Sequence, residues 1–457
     1  MSDARVRRPA RTLLEGAPWR AILRFIVPIW IGNVIQQSYY TIDSLILGRF
    51  VGEDGLAAVG SSFGLVSLLF GTVFAFTAGV AIRLAQAHGA GDHNAVARSF
   101  WTGTLIATTV GGVAGALLAL TAPVAMTLIG VPHEIRSDAT TFYLVFCLGL
   151  PLTAFANFCT HSIRGLGDSI RPTIIMLVSG VVNAAVALWL VAAAQMGVLG
   201  AALATQSAGL CTAALSLVVL LRAHRNLHTR SWPALAGGGP QARQGAAMAF
   251  QSAGIGVGNV LLQAAANSLG AASIAGVSIG MRVEGFALAP LAAFGICMVV
   301  YCAQNAGAAN LQRVRHGVRQ ASALCVLLAI AESALVIAWA GEIATAFLGD
   351  TDATVVDAAT TYIRVSALFY PVVALVFLLR ASLQGVSITR PAVLSGLGEL
   401  VAKSACAAIT VAGGGVFAIA ISSPASWVVA VIPLLLAWFA WRRHSLRTDR
   451  PPATLAA

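Results

Sequence analysis

The chain has 457 residues, of which 58% are hydrophobic and 10% are charged, and its mean hydropathy is +0.84. An average soluble domain carries roughly 25% charged residues. This composition therefore excludes an ordinary soluble protein and indicates an integral membrane protein. The formal net charge is +11, but the arginines that produce it are spread over many loops, so we expect no nucleic-acid partner.

Twelve stretches of the chain are apolar and long enough to cross a bilayer, which takes about 20 residues per helix. We number them spans 1 to 12 in chain order. Their predicted ranges are 21–47, 56–83, 99–121, 139–163, 172–192, 197–221, 246–270, 275–303, 318–340, 360–383, 391–412 and 416–441. The sequence thus predicts an all-α membrane protein with twelve transmembrane helices.

Arginines concentrate in the N-terminal segment, in the loops after the even-numbered spans and in the C-terminal tail. Arg164 and Arg171 are assigned to the loop after span 4, and Arg380 and Arg390 to the loop after span 10. Loops rich in basic residues stay in the cytoplasm. We therefore expect both termini to be cytoplasmic, with the lipid bilayer around the spans.

Sequence features recur at an offset of about 219 residues. The segment 86–92 (QAHGAGD) follows span 2 and the segment 304–310 (QNAGAAN) follows span 8, while Pro151 in span 4 matches Pro371 in span 10. Shared positions at one offset indicate a duplication. We predict two pseudo-symmetric six-helix lobes, at 1–221 and 246–457, joined by a cytoplasmic linker at 222–245; such lobes suit alternating access around a cleft.

Asp43 is the only acidic residue within the spans of the first half. A carboxylate at the bilayer centre costs about 2.5 to 3.5 kcal/mol on insertion scales, so it is a functional candidate. Helical spacing places it on one face with Gln36 and Tyr39, and Pro28 provides a kink point in the same helix. We predict that Asp43 binds the coupling proton or cation; the alternative is that it only bonds neighbouring helices.

The second half has other polar candidates. Aligning Gly52 with Gly270 places Leu261 opposite Asp43, so the duplicated half lacks this acid. Span 7 instead carries Asn259 and Gln263, which either line the cleft or bond helices together.

Charged residues of the second half lie on spans 8 and 11. Glu399 and Lys403 are four residues apart, so we expect them to pair on one helix face, either as a structural pair or as groups that handle substrate or ions. Arg282 and Glu284 are two residues apart and do not face each other. Each of these two needs a partner on another helix.

Three motifs occur in order along the first half: 52–60 (GEDGLAAVG), 86–92, and Gly165-Leu-Gly-Asp168 ahead of Pro172. Together with the duplication they resemble the multidrug and toxic compound extrusion (MATE) family over essentially all twelve spans. The resemblance implies a V-shaped pair of lobes. It also implies an antiporter of the bacterial cytoplasmic (inner) membrane that expels amphipathic, often cationic or aromatic compounds in exchange for protons or sodium ions. We expect a monomer that needs no cofactor beyond the ion gradient.

Within the family the chain looks more like the DinF-like branch than the NorM-like branch, because 246–270 and 366–383 contain no Asp or Glu. The coupling acid of the DinF-like pattern matches Asp43. The lining positions of that pattern match Gln36, Tyr39, Asn157, Asn183 and Thr205. The family often has a second acid one turn after the span 5 asparagine, where this chain has Ala187, so coupling would depend on Asp43 alone.

Other functional classes fit the sequence less well. A lipid-linked sugar or lipid flippase of related architecture would need several basic residues in the cleft, and only Arg282, Lys403 and Arg364 are available. An enzyme is not expected, since the chain has no His-Glu-x-x-His and no phosphate loop. The seven cysteines all fall within spans, so we expect no disulfide framework and no metal site. A channel is disfavoured because two lobes suit rocking rather than a fixed pore.

Overall fold

The structure is a computed structural model that describes residues 13–224, 227, 237–348 and 353–448. Within these ranges the side chains at 37–41, 271–272, 347–348 and 448 are not described. Within the predicted linker, 222–245, residues 225–226 and 228–236 lie outside the described residues. Its last part is described and is helical, because span 7 already begins at Gly239.

The described secondary structure is helical throughout. Pro18–Phe50 forms span 1, Glu53–Gly89 span 2, His93–Leu120 span 3, His133–Leu148 with Leu150–Gly165 span 4, Ile170–Ala187 span 5, Gly197–Ala223 span 6, Gly239–Ala266 span 7, Ala271–Gly307 span 8, Leu311–Ala338 span 9, Ala353–Ala367 with Tyr370–Gly385 span 10, Arg390–Ile409 span 11 and Ser422–Thr448 span 12. Short helices Ala122–Leu128 and Ala340–Leu348 follow spans 3 and 9, and π-helical turns Leu188–Ala193 and Thr410–Gly414 follow spans 5 and 11.

Nine of the described helices are long and apolar enough to cross a membrane, and the two bent pairs raise this number to eleven. The pairs are spans 4 and 10, which bend by 50° and 51°. Each bend lies next to a proline, Pro151 or Pro371, whose missing N–H cannot continue the helical hydrogen bonds. Span 1 has the required length but a more polar sequence, so the twelfth crossing stays a prediction.

The duplicated loop motifs have the same structural role in both halves. Asp92 caps the start of span 3, and Asn310 caps the start of span 9, each by accepting a hydrogen bond from the amide three residues later, at 2.8 and 2.9 Å. One residue before each cap, Gly91 and Ala309 have φ values of 73° and 56°. The two halves thus share local geometry as well as sequence.

Spans 2 and 8 cross backbone to backbone at the arginine-rich end. A Cβ added at Gly89 would overlap the Gln304 carbonyl oxygen, and one added at Gly307 would overlap the Gln86 carbonyl oxygen. The same two glutamine side chains donate across the crossing to loop carbonyls of the opposite half. Gln86 bonds Gly385 at 3.1 Å, and Gln304 bonds Gly165 at 2.8 Å. The two halves are therefore closed against each other at this end.

Span 1 packs on both halves of the protein. Its first part, including Ile22 and Phe25, joins the core that contains Phe294 of span 8. Its last part, including Ile46, packs against Ala201 of span 6. Since span 1 contacts both halves, a change in its shape would alter its packing against both of them.

Pro28 lies between these two parts of span 1. Thr173 of span 5 donates a hydrogen bond to the Pro28 carbonyl oxygen at 2.7 Å. One turn later, a Cβ added at Gly32 would lie 3.4 Å from the Thr173 hydroxyl and 3.4 Å from the Met176 sulfur. The predicted kink point is thus held against span 5 by a side-chain hydrogen bond and close packing.

We expect Gly89→Ala to weaken closure at the arginine-rich end, because the added methyl group meets backbone that cannot move independently. Overpacking of this kind costs about 1 to 3 kcal/mol, which corresponds to a shift of roughly 5- to 150-fold in the closed-to-open ratio. Electron–electron distance measurements between spin labels at Asn94 and Gln312 would report this shift. Gly60→Ala, at a site with no atom within 4 Å of the added Cβ, is the matched control and should leave the distances unchanged.

Candidate functional site

Asp43 lies on the outer part of span 1 and is half-buried. Its Oδ1 atom is fully buried and has no hydrogen-bond partner among the described residues. Asn183 of span 5, which is 1% exposed, lies close enough to this carboxyl group to interact with it. Among the described residues, the Nδ2 and Oδ1 atoms of Asn183 have no partner with ordinary hydrogen-bond geometry. An unbonded carboxyl oxygen beside an unbonded amide is a site that a proton or a small cation can complete.

The other predicted lining residues differ in their surroundings. Asn157 on span 4 has a buried Nδ2 with no partner, as the site residues above do. Thr205 instead donates to the Ala201 carbonyl of its own helix at 3.1 Å. Gln36 is half-buried, and the side chain of Tyr39 lies outside the described residues. The structure therefore brings Asn183 to Asp43 and leaves Thr205 bonded within span 6.

The first half contains a buried cation that the sequence analysis does not predict. The sequence places Arg164 in a loop, but in the structure it lies within the helix Leu150–Gly165 and is 3% exposed. Among the described residues its Nε atom has no partner, and its Nη2 contacts the Met176 sulfur at 3.8 Å. His161, one turn earlier, packs edge-on against Phe74 with 4.5 Å between ring centroids. The signal available in the sequence was the position of Arg164 before, rather than after, the helix-ending Gly165.

The second half matches the first in its backbone but not in its acid. Gly52 and Gly270 occupy equivalent turns with φ values of 91° and 84°. The alignment that places Leu261 opposite Asp43 therefore agrees with the structure. Leu261 is exposed and has no titratable group, so the two halves differ chemically at this position.

The direct ion pair of Glu399 differs from the expected one with Lys403, which is near enough to interact electrostatically with Glu399 but does not form its ion pair. Glu399 forms an ion pair with Arg380 of span 10, and Arg380 also donates to Ser395 at 2.7 Å. Arg380 was assigned to a loop, yet it is buried within span 10. A carboxylate and a guanidinium in a dry interior attract each other strongly. The ion-pair partner of Glu399 is therefore Arg380 on the neighbouring helix and not Lys403 on the same helix.

Lys403 reaches across to span 7 instead. Its Nζ donates to Asn259 Oδ1 at 2.6 Å. The lysine side chain passes Gly258, where a Cβ would lie 3.0 Å from Lys403 Cδ. Any larger residue at 258 would block this path.

Glu284 of span 8 finds its partners on spans 10 and 12. The Tyr362 hydroxyl donates to Oε2 at 3.0 Å, and the Ser423 hydroxyl donates to Oε1 at 3.2 Å. Lys403 lies close enough to interact with Glu284 electrostatically. Arg282 is exposed on the other side of the helix, as the two-residue spacing requires. Spans 8, 10 and 11 thus hold two acids and two bases that have partners, while a third acid of this half, Glu332 of span 9, has a buried Oε2 without a hydrogen-bond partner among the described residues.

The two polar residues of span 7, Asn259 and Gln263, are expected either to line the cleft or to bond helices together, and they differ in this respect. Asn259 bonds span 11 through Lys403. Gln263 is exposed and donates to Asn267 of its own helix at 3.4 Å. It shares a helix face with Gly256, which approaches Leu68 of span 2 in the opposite half. Gln263 therefore points toward the cleft side of span 7.

We expect Glu399→Gln to destabilise the protein by about 3 to 5 kcal/mol, because it leaves the buried Arg380 charge without its partner. Thermal unfolding in detergent would measure the loss. The double variant Glu399→Leu with Arg380→Met should recover most of it. Glu342→Gln, at an exposed acid of the same half, should change stability little; a loss equal to that of Glu399→Gln would contradict the ion-pair assignment.

Known proteins are similar to this chain over most of its length. A family model described as MatE matches residues 28–189 and 247–403, more than half of the chain. "Probable multidrug resistance protein YoeA" of Bacillus subtilis is 24% identical over 317 residues, 66% of this chain and 67% of that protein. "Probable multidrug resistance protein NorM" of Thermotoga maritima is 22% identical over 385 residues, 81% of each chain. "DNA damage-inducible protein F" of Escherichia coli is 25% identical over 206 residues, 44% of each chain.

Solved structures share the fold at low sequence identity. The one described as "Crystal structure of MATE in the bent conformation" has a TM-score of 0.86 and 19% identity, covering 98% of this chain and 100% of that chain. These findings confirm the family and the all-helical membrane fold that the motifs predicted. The chain belongs to the multidrug and toxic compound extrusion family of membrane transporters.

Proposed function

We propose that the protein is a secondary active antiporter that exports amphipathic, cationic or aromatic small molecules in exchange for protons. The observation that carries this proposal is the buried carboxyl oxygen of Asp43, which has no partner with ordinary hydrogen-bond geometry among the described residues and lies beside the buried amide of Asn183. The relatives named as multidrug resistance proteins support the class of substrate. Sodium is the alternative coupling ion.

The chemistry of the proposed cycle follows from the environment of Asp43. A carboxyl group in a poorly solvated site favours its neutral form, so Asp43 is a suitable group to carry a proton. When ionised, Asp43 attracts a cationic substrate. Protonation from the outer side removes this attraction and allows span 1 to change shape at Pro28.

Span 1 is placed to convert that change into movement of the lobes. Its first part packs on span 8 and its last part on spans 5 and 6. A rearrangement between Pro28 and Asp43 therefore acts on the contact between the two lobes. Closure at the Gly89 and Gly307 crossing would alternate with opening at the same end.

The partnered charges on spans 8, 10 and 11 support a scaffold role for these helices of the second lobe. Arg380, Glu399, Lys403 and Glu284 each have a partner of opposite charge or a hydrogen bond. A flippase for a lipid-linked sugar would need basic residues free to hold a pyrophosphate. The paired state of Lys403 and the multidrug names of the relatives favour drug export over that alternative.

We further propose the topology that the arginine distribution predicts, with both termini in the cytoplasm of a bacterial cell and the protein working as a monomer in the cytoplasmic membrane. The basic loops after the even-numbered spans support this orientation. The crossing of spans 2 and 8 would then close the cytoplasmic end. Accessibility of single cysteines introduced at Asn94 and at Asp138 to an impermeant reagent in intact cells would report the orientation of these two ends.

We expect Asp43→Asn to reduce gradient-driven dye efflux from proteoliposomes to the rate measured without a gradient. The amide has nearly the shape of the carboxyl group but cannot bind and release a proton at this site. Asp138→Asn, which changes an exposed acid of the same lobe, should transport like the unmodified protein. Full gradient-driven efflux by Asp43→Asn would refute the coupling role.

The coupling ion is decided in the same assay by imposing either a proton gradient or a sodium gradient. We expect the proton gradient alone to drive efflux. Efflux driven by sodium at constant pH would assign sodium to the site. Dye binding to Asp43→Asn, measured without a gradient, separates loss of substrate affinity from loss of coupling.

A further inference from the structure

Spans 9, 10 and 12 enclose a groove of about 420 Å³ at the arginine-rich end of the second lobe. Spans 9 and 12 each pack against span 10, which forms the floor of the groove. Leu375 and Leu379 lie on this floor, and Leu435 and Phe439 form the wall on span 12. The inner surface of the groove is therefore apolar.

The rim of the groove is basic. Arg315 and Arg319 of span 9 face Arg442 of span 12. Arg315 donates to the carbonyl oxygen of Ser445 at 2.8 Å and to its hydroxyl at 3.2 Å, which ties the two walls together. Arg319 and Arg442 are exposed, and among the described residues neither forms an ion pair. No acidic side chain is among the described residues that line the groove.

The groove is long enough to hold a lipid headgroup and part of an acyl chain, and its polarity changes along its length as that of a lipid does. Its lining on span 9 runs from Gln312 to Ser322, which is roughly 15 Å along a helix. The cations lie toward the loop end, where lipid headgroups are found, and the leucines lie toward the membrane interior. Basic pockets between transmembrane helices on the cytoplasmic side are suited to anionic lipid headgroups.

We propose that this groove binds one anionic phospholipid, with the headgroup phosphate between Arg319 and Arg442 and an acyl chain along Leu375 and Leu435. A free phosphate or a small anion would use the arginines but leave the apolar floor uncovered. A zwitterionic lipid would cover the floor but bring no net charge to three arginines. The site is separate from the cleft that holds Asp43, and it joins the start of span 9 to the end of span 12.

Native mass spectrometry of the delipidated protein, titrated with phosphatidylglycerol, tests the proposal. We expect Arg319→Gln with Arg442→Gln to lower the affinity about 25-fold, roughly fivefold for each basic residue removed at an anionic surface. Ser322→Trp fills the groove while keeping every arginine, so it should also lower the affinity. Arg443→Gln is the matched control, because Arg443 is exposed on the same helix and does not line the groove.

The outcomes separate a built lipid site from general surface charge. Equal loss of affinity in Arg443→Gln and in the double variant would overturn the proposal, as would unchanged affinity in Ser322→Trp. Phosphatidylethanolamine should bind more weakly than phosphatidylglycerol; equal binding would remove the role of the arginines. Glycerol 3-phosphate, the headgroup alone, should not displace phosphatidylglycerol, and displacement at similar concentrations would identify a small-anion site instead.

Discussion

The backbone crossing of spans 2 and 8 is the contact on which the arrangement of the two lobes depends. Two helices approach this closely only where neither carries a side chain at the point of contact, and Gly89 and Gly307 meet that condition in both halves. The crossing also places Gln86 and Gln304 within reach of loop carbonyls on the opposite lobe. Buried amide groups that donate across an interface fix its register as well as its strength.

Closure at one end determines where the functional groups lie. Span 1 and span 7 extend away from the crossing, and their polar residues are found on the outer parts of the two helices. Asp43 and Gln263 thus both lie on parts of their helices that are distant in sequence from the arginine-rich loops. Because span 1 also packs on both lobes, the acid lies on the helix best placed to link protonation to lobe movement.

The buried charged groups of the two lobes differ in their partners. The first lobe holds Asp43, one of whose oxygens has no hydrogen-bond partner among the described residues, and the buried Arg164, which has no carboxylate partner among them. In the second lobe Glu399 is paired with Arg380, whereas Glu332 of span 9 has a buried oxygen that, like that of Asp43, has no partner among the described residues. In a medium of low dielectric constant a paired charge is fixed in its state, whereas an unpaired carboxyl group more readily gains or loses a proton. Unpaired buried carboxyl groups therefore occur in both lobes.

The sequence by itself determined the helical membrane fold and the duplication, because apolar length and repeated motifs are local properties. It contained Pro151 and Pro371 at matching positions, but the bends beside them are seen only in the structure. It did not determine that Glu399 pairs with Arg380 rather than Lys403, or that Arg164 is buried. Those outcomes depend on the rotation and depth of helices that are distant in the chain. Only the packed tertiary structure decides which side chains of neighbouring helices meet.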